Sequence, residues 1–64
     1  MAQNIIDEIN KFSSFKFDQQ NNRVVNLKSS SDTDIDEFLN IQYLLDNNRV
    51  KHNFEQNFEI QIIK

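Results

Sequence analysis

The run DTDIDEFLNIQYLLDNN, residues 32–48, decides how the rest of the chain is interpreted. Its apolar side chains recur every three or four positions, as in an α-helix, and at about 100° per residue they cover more than half of the circumference. They are Ile35, Phe38, Leu39, Ile41, Leu44 and Leu45. One sheet face cannot cover so wide an arc. We therefore expect the surplus around Ile41 and Leu44 to be covered by another helix, a second copy of the chain or a partner.

Aspartates at alternate positions open this run, namely Asp32, Asp34 and Asp36. A calcium-binding EF-hand loop begins in this way, but it also needs a glycine at its sixth position and a glutamate at its twelfth. Those positions hold Glu37 and Tyr43. Acidic side chains at a helix N-terminus accept hydrogen bonds from free N–H groups and interact favourably with the helix dipole. We predict a capped helix start, with Ser31 or Thr33 as the N-cap, and no metal site.

Upstream, the run NIIDEINKF, residues 4–12, has the same helical periodicity. Its apolar residues are Ile5, Ile6, Ile9 and Phe12. The pattern predicts a first helix with Asn4 as its cap. The chain contains no glycine, so asparagine is the best available residue for the left-handed conformation that ends many helices, and Asn47 and Asn48 are placed to end the second helix in that way.

Between the helices, FKFDQQNNRVVNL, residues 15–27, alternates apolar and polar side chains as a half-buried strand pair does. Cross-strand neighbours must share a face, and a two-residue turn would set polar against apolar side chains. A three-residue loop over residues 20–22 instead sets Phe17 opposite Val25. Asn22 would close this loop in the left-handed conformation.

The C-terminal run VKHNFEQNFEIQIIK, residues 50–64, keeps its histidine and its apolar side chains from Val50 to Ile62 on one parity. It is either one very long strand or a hairpin, and strands usually run roughly 3 to 10 residues. A loop over residues 55–57 would pair Phe54 with Phe58 and His52 with Ile60.

These elements predict a single small α+β domain over residues 1–64. Its order is helix, hairpin, helix, hairpin (αββαββ), with two helices covering one face of a four-stranded sheet. If the second and third strands are parallel neighbours, their crossover is right-handed and the first and fourth strands are the edges. The predicted core comprises Ile9, Phe12, Phe15, Phe17, Val25, Leu27, Ile35, Phe38, Leu39, Leu45, Phe54, Phe58 and Ile60.

Composition bounds the functions that this chain can have. At 64 residues without cysteine, it has a small core that no disulfide reinforces, and the commonest zinc sites are excluded. The absence of glycine excludes phosphate-cradling loops. The net charge of −3 argues against a polyphosphate as the main partner. Without a membrane span or a signal peptide, we expect a cytoplasmic protein, and its asparagine content suggests a bacterial or phage source.

Catalysis has little support in the sequence. His52 is the single histidine, and its parity places it on the inward face, whereas a catalytic imidazole needs an orienting partner and a nucleophile or substrate within reach. The serines cluster beside predicted helix ends, where capping accounts for them. We expect no enzymatic activity, no cofactor and no small-molecule substrate.

Association with another protein is the favoured function, because small scaffolds without disulfides commonly need a partner. We predict a small interaction module or regulator, such as a phage or mobile-element inhibitor of a host factor, that also forms a homodimer. The candidate partner-binding residues are Ile41, Leu44, Ile62 and Ile63, from the helix surplus and from the last strand as a predicted edge.

The alternative function is binding of single-stranded nucleic acid by the open sheet face. Its candidate residues are Lys16, Arg23, Lys28, Arg49 and Lys51. Single-strand binders of this type also present aromatic side chains on which bases stack, and here every phenylalanine has inward parity or lies on a helical core stripe. A solvated face of mixed charge is the favoured interpretation.

Overall fold

A computed structural model describes residues 2–63 of the chain. In chain order its elements are α1 (Gln3–Asn10), β1 (Phe15–Asp18), β2 (Arg23–Asn26), α2 (Ile35–Asn47), β3 (His52–Glu55) and β4 (Glu59–Ile62), with short 3₁₀ turns at Ser30–Asp32 and Gln56–Phe58. The α+β class is confirmed, because this part of the chain contains two α-helices and one four-stranded sheet.

The strands lie in the order β1-β2-β4-β3, and every neighbouring pair is antiparallel. The last strand therefore lies inside the sheet, and the prediction that it forms an edge is wrong. The parallel crossover between the second and third strands is also absent, since β2 pairs with β4. Burial explains this order: β4 brings the buried Ile60 and Ile62 to the centre, whereas the more polar β3 takes the exposed edge.

The β1–β2 pair differs in register by one residue from the predicted one. Phe17 lies opposite Val24 rather than Val25, and the connecting loop covers the four residues 19–22. Val24 is consequently fully buried and Val25 only half-buried. The predicted core position of Leu27 is also wrong, because this side chain is exposed.

The side chain of Asp18 explains the longer loop. Its Oδ1 accepts hydrogen bonds from the backbone N–H groups of Gln20 and Asn21, and its Oδ2 accepts one from Nδ2 of Asn21. Such an aspartate turn adds a residue that strand parity does not anticipate. Asn22 has a φ of 54°, which confirms its predicted left-handed conformation.

The β3–β4 pair differs from the predicted register by two residues. Phe54 lies opposite Ile60, and His52 lies opposite Ile62, so the predicted Phe54–Phe58 pairing is wrong. The connection covers residues 56–58, where both Asn57 (φ 61°) and Phe58 (φ 55°) are left-handed. Phenylalanine is rare in this region of backbone space, and there the ring of Phe58 packs edge-on against Phe38 at 5.2 Å between centroids.

The two helices begin differently from the predictions. Asp34 caps α2, because its Oδ1 accepts hydrogen bonds from the backbone N–H groups of Asp36 and Glu37 at 3.0 and 3.3 Å. The N-cap is therefore one of the three aspartates, and neither Ser31 nor Thr33 takes that place. Asn4 lies inside α1, whose N-cap is Ala2, so the predicted Asn4 cap is also wrong.

The end of α2 is a Schellman motif. The backbone N–H of Val50 bonds to the carbonyl of Leu45 at 2.9 Å, and that of Arg49 bonds to Asp46 at 3.1 Å. Arg49 has a φ of 58°, so it takes the left-handed position that was predicted for the asparagines. The prediction identified where the helix ends but placed the left-handed residue one position too early.

The buried core includes residues of both helices and of the sheet. It comprises Ile5 and Ile9 of α1, Phe38, Ile41 and Leu45 of α2, and Phe15, Val24, Ile60 and Ile62 of the strands. Phe38 contacts the rings of Phe15, Phe54 and Phe58, with centroids 5.2–6.0 Å apart. Helix α1 lies against α2, and Ile41 of the apolar arc is fully buried. Ile35, Leu39 and Phe54 were predicted to be buried, but they are exposed.

One buried polar side chain ties three segments of the fold together. The Nδ2 of Asn26 donates hydrogen bonds to Oγ1 of Thr33 at 2.7 Å and to the backbone carbonyl of Asn57 at 2.9 Å. Its Oδ1 accepts the backbone N–H of Lys28 at 3.0 Å. These bonds satisfy the buried amide, and they hold the connection before α2 against the β3–β4 loop.

Candidate protein-interaction surface

The structure does not bring the predicted partner-binding residues together on one surface. Ile41 is 0% exposed and Ile62 is 5% exposed, since both belong to the core and β4 lies inside the sheet. Leu44 is partly buried against the core, and Ile63 is exposed. Of the four side chains, Ile63 therefore offers the most surface to a partner.

The exposed apolar side chains of α2 lie on a different flank of the helix. Ile35 and Leu39 are each 45% exposed and Tyr43 is 67% exposed. The spacing of four residues places these side chains in one row along the helix. The apolar surplus predicted for α2 therefore exists, but it lies on the side opposite to the one chosen from the sequence.

This flank lies beside the edge strand β3. Asp46, which shares the flank, has its Oδ1 3.6 Å from Nε2 of His52. Leu39, Gln42, Tyr43 and Asp46 line an open cavity of about 180 Å³. On β3, Phe54 is 63% exposed although its cross-strand partner Ile60 is buried. We call Ile35, Leu39, Tyr43, Phe54 and the free edge of β3 the α2–β3 surface.

Backbone hydrogen bonds show which groups of β3 face the free edge. The N–H of Ile63 donates to the carbonyl of Lys51 at 2.9 Å, and that of Ile62 donates to Asn22 on the other side of β4. Bonded and non-bonded pairs alternate along an antiparallel ladder. Lys51, Asn53 and Glu55 therefore direct their backbone groups at β4. The N–H and C=O groups of His52 and Phe54 point away from the sheet, and no strand among residues 2–63 pairs with them.

His52 anchors the start of this edge strand. Its Nδ1 lies 2.8 Å from the carbonyl of Val50, and its Nε2 faces the Asp46 carboxylate. The imidazole is half-buried, in keeping with its predicted inward parity. These contacts fix the position of β3 relative to the end of α2.

The predicted basic residues are in part occupied by contacts within the molecule. The ammonium group of Lys16 donates hydrogen bonds to the carbonyls of Asn10 and Phe12 at 2.7 and 2.8 Å. The guanidinium of Arg23 bonds to Glu59, and its Nε lies 3.5 Å from the Glu55 carboxylate. Two of the five cations are thus engaged within the molecule. The other three are exposed: Lys28 lies on the β2–α2 connection, and Arg49 and Lys51 lie on the α2–β3 connection.

The site was predictable only in part. Ile35 and Leu39 were assigned to the core because their spacing is helical, but Gln42 and Asp46 share their flank and are signals of solvent exposure. Nothing in the local sequence shows that Phe54 lies on an edge strand. Its exposure results from the strand order.

Within residues 2–63, no group of three or more acidic or histidine side chains is arranged to hold a metal ion. None of the helices in this range is long and apolar enough to cross a bilayer. Comparisons of the chain with protein-family models, with curated proteins and with solved structures gave no match.

Proposed function

We propose that the chain is a small, non-enzymatic protein-interaction module whose α2–β3 surface binds another polypeptide. In this proposal the two helices cover one face of the sheet, and the module regulates its partner by occupying part of the partner's surface. The observation that carries the proposal is the row of half-exposed apolar side chains on α2, which lies next to an unpaired strand edge.

The chemistry of the surface suits a polypeptide better than a small ligand or a nucleic acid. Free N–H and C=O groups on an edge strand are a template for an added strand, and that mode of recognition needs an extended backbone as its ligand. Exposed aromatic side chains such as Tyr43 and Phe54 are enriched in protein interfaces, where they contribute large apolar area at low entropic cost.

Nucleic-acid binding has less support. A single-strand groove combines free cations with aromatic side chains, whereas Lys16 and Arg23 are engaged in intramolecular bonds. The exposed aromatic residue Tyr43 instead shares its cavity with the Asp46 carboxylate.

Site-specific photo-crosslinking tests the proposal. A benzophenone side chain in place of Tyr43 would be illuminated in living cells that express the chain, and the products would be identified by mass spectrometry. The matched control carries the same group in place of Leu27, which is also an exposed apolar residue but lies outside the α2–β3 surface.

We expect a discrete crosslinked polypeptide from position 43 and not from position 27, and its loss in a Phe54→Ser background. Equal labelling from both positions, or none from position 43, would contradict the proposal. A mobility shift of single-stranded oligonucleotides that weakens with salt would favour the nucleic-acid alternative.

A further inference from the structure

We infer that the polypeptide bound at the α2–β3 surface is a second copy of this chain, with the two β3 strands paired antiparallel about a two-fold axis through Asn53. The inference rests on the proposed function and names its partner. Three independent features of β3 support it: its hydrogen-bonding groups, its charges and its apolar neighbours.

The first feature is the position of the free backbone groups. On each copy, His52 and Phe54 point their N–H and C=O groups at the open edge. A symmetric antiparallel pair that uses all of these groups sets His52 of each copy opposite Phe54 of the other. Asn53 then lies on the axis, opposite Asn53 of the second copy, as a non-hydrogen-bonded pair.

The second feature is charge complementarity. The segment KHNFE, residues 51–55, has a cation at its first position and an anion at its last. In the register set by the backbone groups, Lys51 of each copy lies directly across from Glu55 of the other. Opposite charges at such positions stabilise a strand pair, and they do so here twice by symmetry. This local attraction offsets the repulsion between two chains that each carry a net charge of −3.

The third feature is the apolar surface beside the strand. A two-fold axis perpendicular to the sheet joins the two sheets edge to edge and brings both α2 helices to the same side. The exposed flank of α2 lies towards β3, as the 3.6 Å approach of Asp46 to His52 shows. Leu39, Tyr43 and Phe54 of one copy therefore approach their equivalents in the other. Pairing covers the side chains that a monomer leaves in water.

Charge exchange tests the register. Lys51→Glu alone and Glu55→Lys alone each place like charges at both cross-strand positions, so we expect each variant to weaken self-association at least about tenfold. An equimolar mixture of the two variants restores both opposite-charge pairs and should form the heterodimer. The control is Lys28→Glu, which changes an exposed lysine outside β3. It should sediment with the same mass as the wild-type chain.

Sedimentation equilibrium measures the mass of each protein in solution and so shows whether it is a monomer or a dimer. The wild-type chain should reach twice its 7.7 kDa mass, and the mixed variants should do so when neither variant does alone. A wild-type chain that stays monomeric at high concentration, or variants that fail to complement each other while circular dichroism shows both to be folded, would overturn the inference. If Glu55→Lys does not fold, since Glu55 neighbours Arg23, the cysteine experiment decides.

A single cysteine provides the second measurement, because the chain has none of its own. Non-hydrogen-bonded pairs bring Cα atoms to about 4.5 Å, which is close enough for a disulfide. Asn53→Cys should therefore form a covalent dimer under mild oxidation at dilute concentration, whereas Lys51→Cys should not, because the two residues 51 lie on opposite sides of the axis. Equal crosslinking of both variants would overturn the register, and crosslinking of neither would overturn the dimer.

The outcomes for the inference and for the proposed function are separable. If a photo-crosslink at position 43 identifies a different protein while the wild-type chain is monomeric, the inference fails and the interaction module stands. If neither self-association nor any crosslinked polypeptide is found, both fail. If the photo-crosslink and the cysteine dimer both identify this chain, both are supported.

Discussion

The two hairpins of the molecule differ in how far their observed strand registers lie from those predicted by sequence parity. The β1–β2 pair lies one residue away from the register that sequence parity favours, and the side chains of β2 exchange faces, so that Val24 rather than Val25 enters the core. The β3–β4 pair lies two residues away, and its faces are unchanged. Because side chains alternate with a period of two, an odd slip inverts a strand and an even slip does not.

The hairpins also differ in what holds their loops. The first loop is organised by the Asp18 carboxylate, which accepts three hydrogen bonds from the two residues Gln20 and Asn21. The second is organised by two left-handed residues and by the ring of Phe58 against Phe38. The first is thus a local electrostatic device, whereas the second depends on packing against α2. Substitutions in the two hairpins should therefore have different effects on stability.

Replacing Phe38 with alanine should have the largest effect, because this ring supports both aromatic side chains of the second hairpin. We expect a loss of about 3–5 kcal/mol, which is enough to unfold a domain of this size. Urea denaturation followed by circular dichroism measures it. Phe54→Ala is the control and should cost much less, because that ring is largely exposed. A folded Phe38→Ala variant with an unchanged melting temperature would refute this account of the core.

The register of the first hairpin predicts unequal effects at adjacent valines. Val24→Ala removes two methyl groups from a fully buried site and should cost about 2 kcal/mol, whereas Val25→Ala at a half-buried site should cost less than about 1 kcal/mol. The comparison is made from urea midpoints of the two variants. The reverse order would mean that the hairpin has the register predicted from parity.

Replacing either left-handed asparagine with alanine should have a similar backbone cost, and the two variants should differ in the side-chain hydrogen bond that each one loses. Asn22→Ala and Asn57→Ala each put a residue that tolerates the left-handed region less well than asparagine at a positive φ, at a cost of about 1 kcal/mol. Each variant also loses a side-chain hydrogen bond, from Nδ2 of Asn22 to the carbonyl of Ile62 at 3.3 Å or from the Ser30 hydroxyl to Oδ1 of Asn57 at 2.6 Å. Asn57→Ala should cost a few tenths more, because the bond that it removes is the shorter one. The matching glycine variants remove the backbone cost, and thermal midpoints of the four proteins give the comparison. Glycine variants no more stable than the alanine variants would disprove the backbone explanation.

Acid should destabilise the first loop through the carboxylate of Asp18, whereas residues 56–58 of the second loop include no acidic side chain. The side-chain hydrogen bond from Asn21, aided by backbone N–H groups, lowers the pKa of Asp18 from its ordinary value of 3.8. A lowered folded-state pKa means that the stabilisation is complete above pH 3.8 and is lost as the pH falls through the lower folded pKa. We expect this to be the smallest of the effects, because Asp18 is accessible to solvent. The thermal midpoints of wild type and Asp18→Asn should become equal at a pH below the folded-state pKa of Asp18. A difference that stays constant at every pH would show that the ionised carboxylate does not stabilise the loop.

Local pattern was enough to predict much of the secondary structure. The periodicity around Phe38 predicted α2, the alternation around Phe17 predicted strands, and the absence of glycine pointed to asparagine at Asn22. The acidic start of α2 was correctly interpreted as a cap, although Asp34 itself is the N-cap. These features depend on residues within a few positions of one another, so short-range sterics and hydrogen bonding determine them.

The candidate surface was less predictable. An apolar surplus on α2 and a free strand edge were both expected, but the surplus was placed at Ile41 and Leu44 and the edge at the last strand. The structure buries Ile41 and exposes Leu39, and it exchanges the positions of the third and fourth strands. Which flank of α2 is covered depends on where α1 packs, and no local pattern in the sequence of α2 indicates that position.

By itself, the sequence determined the α+β class, the approximate limits of α2 and the left-handed residue that closes the first loop, because each follows from the chemistry of neighbouring residues. Tertiary structure alone decided the strand order, the two registers and the exposure of the α2–β3 surface. Those features depend on the competition between distant segments for a small core, in which β4 buries Ile60 and Ile62 at the centre and leaves β3 at the edge. Burial is a property of the whole molecule, since the free energy gained by one apolar side chain depends on which others have already excluded water around it.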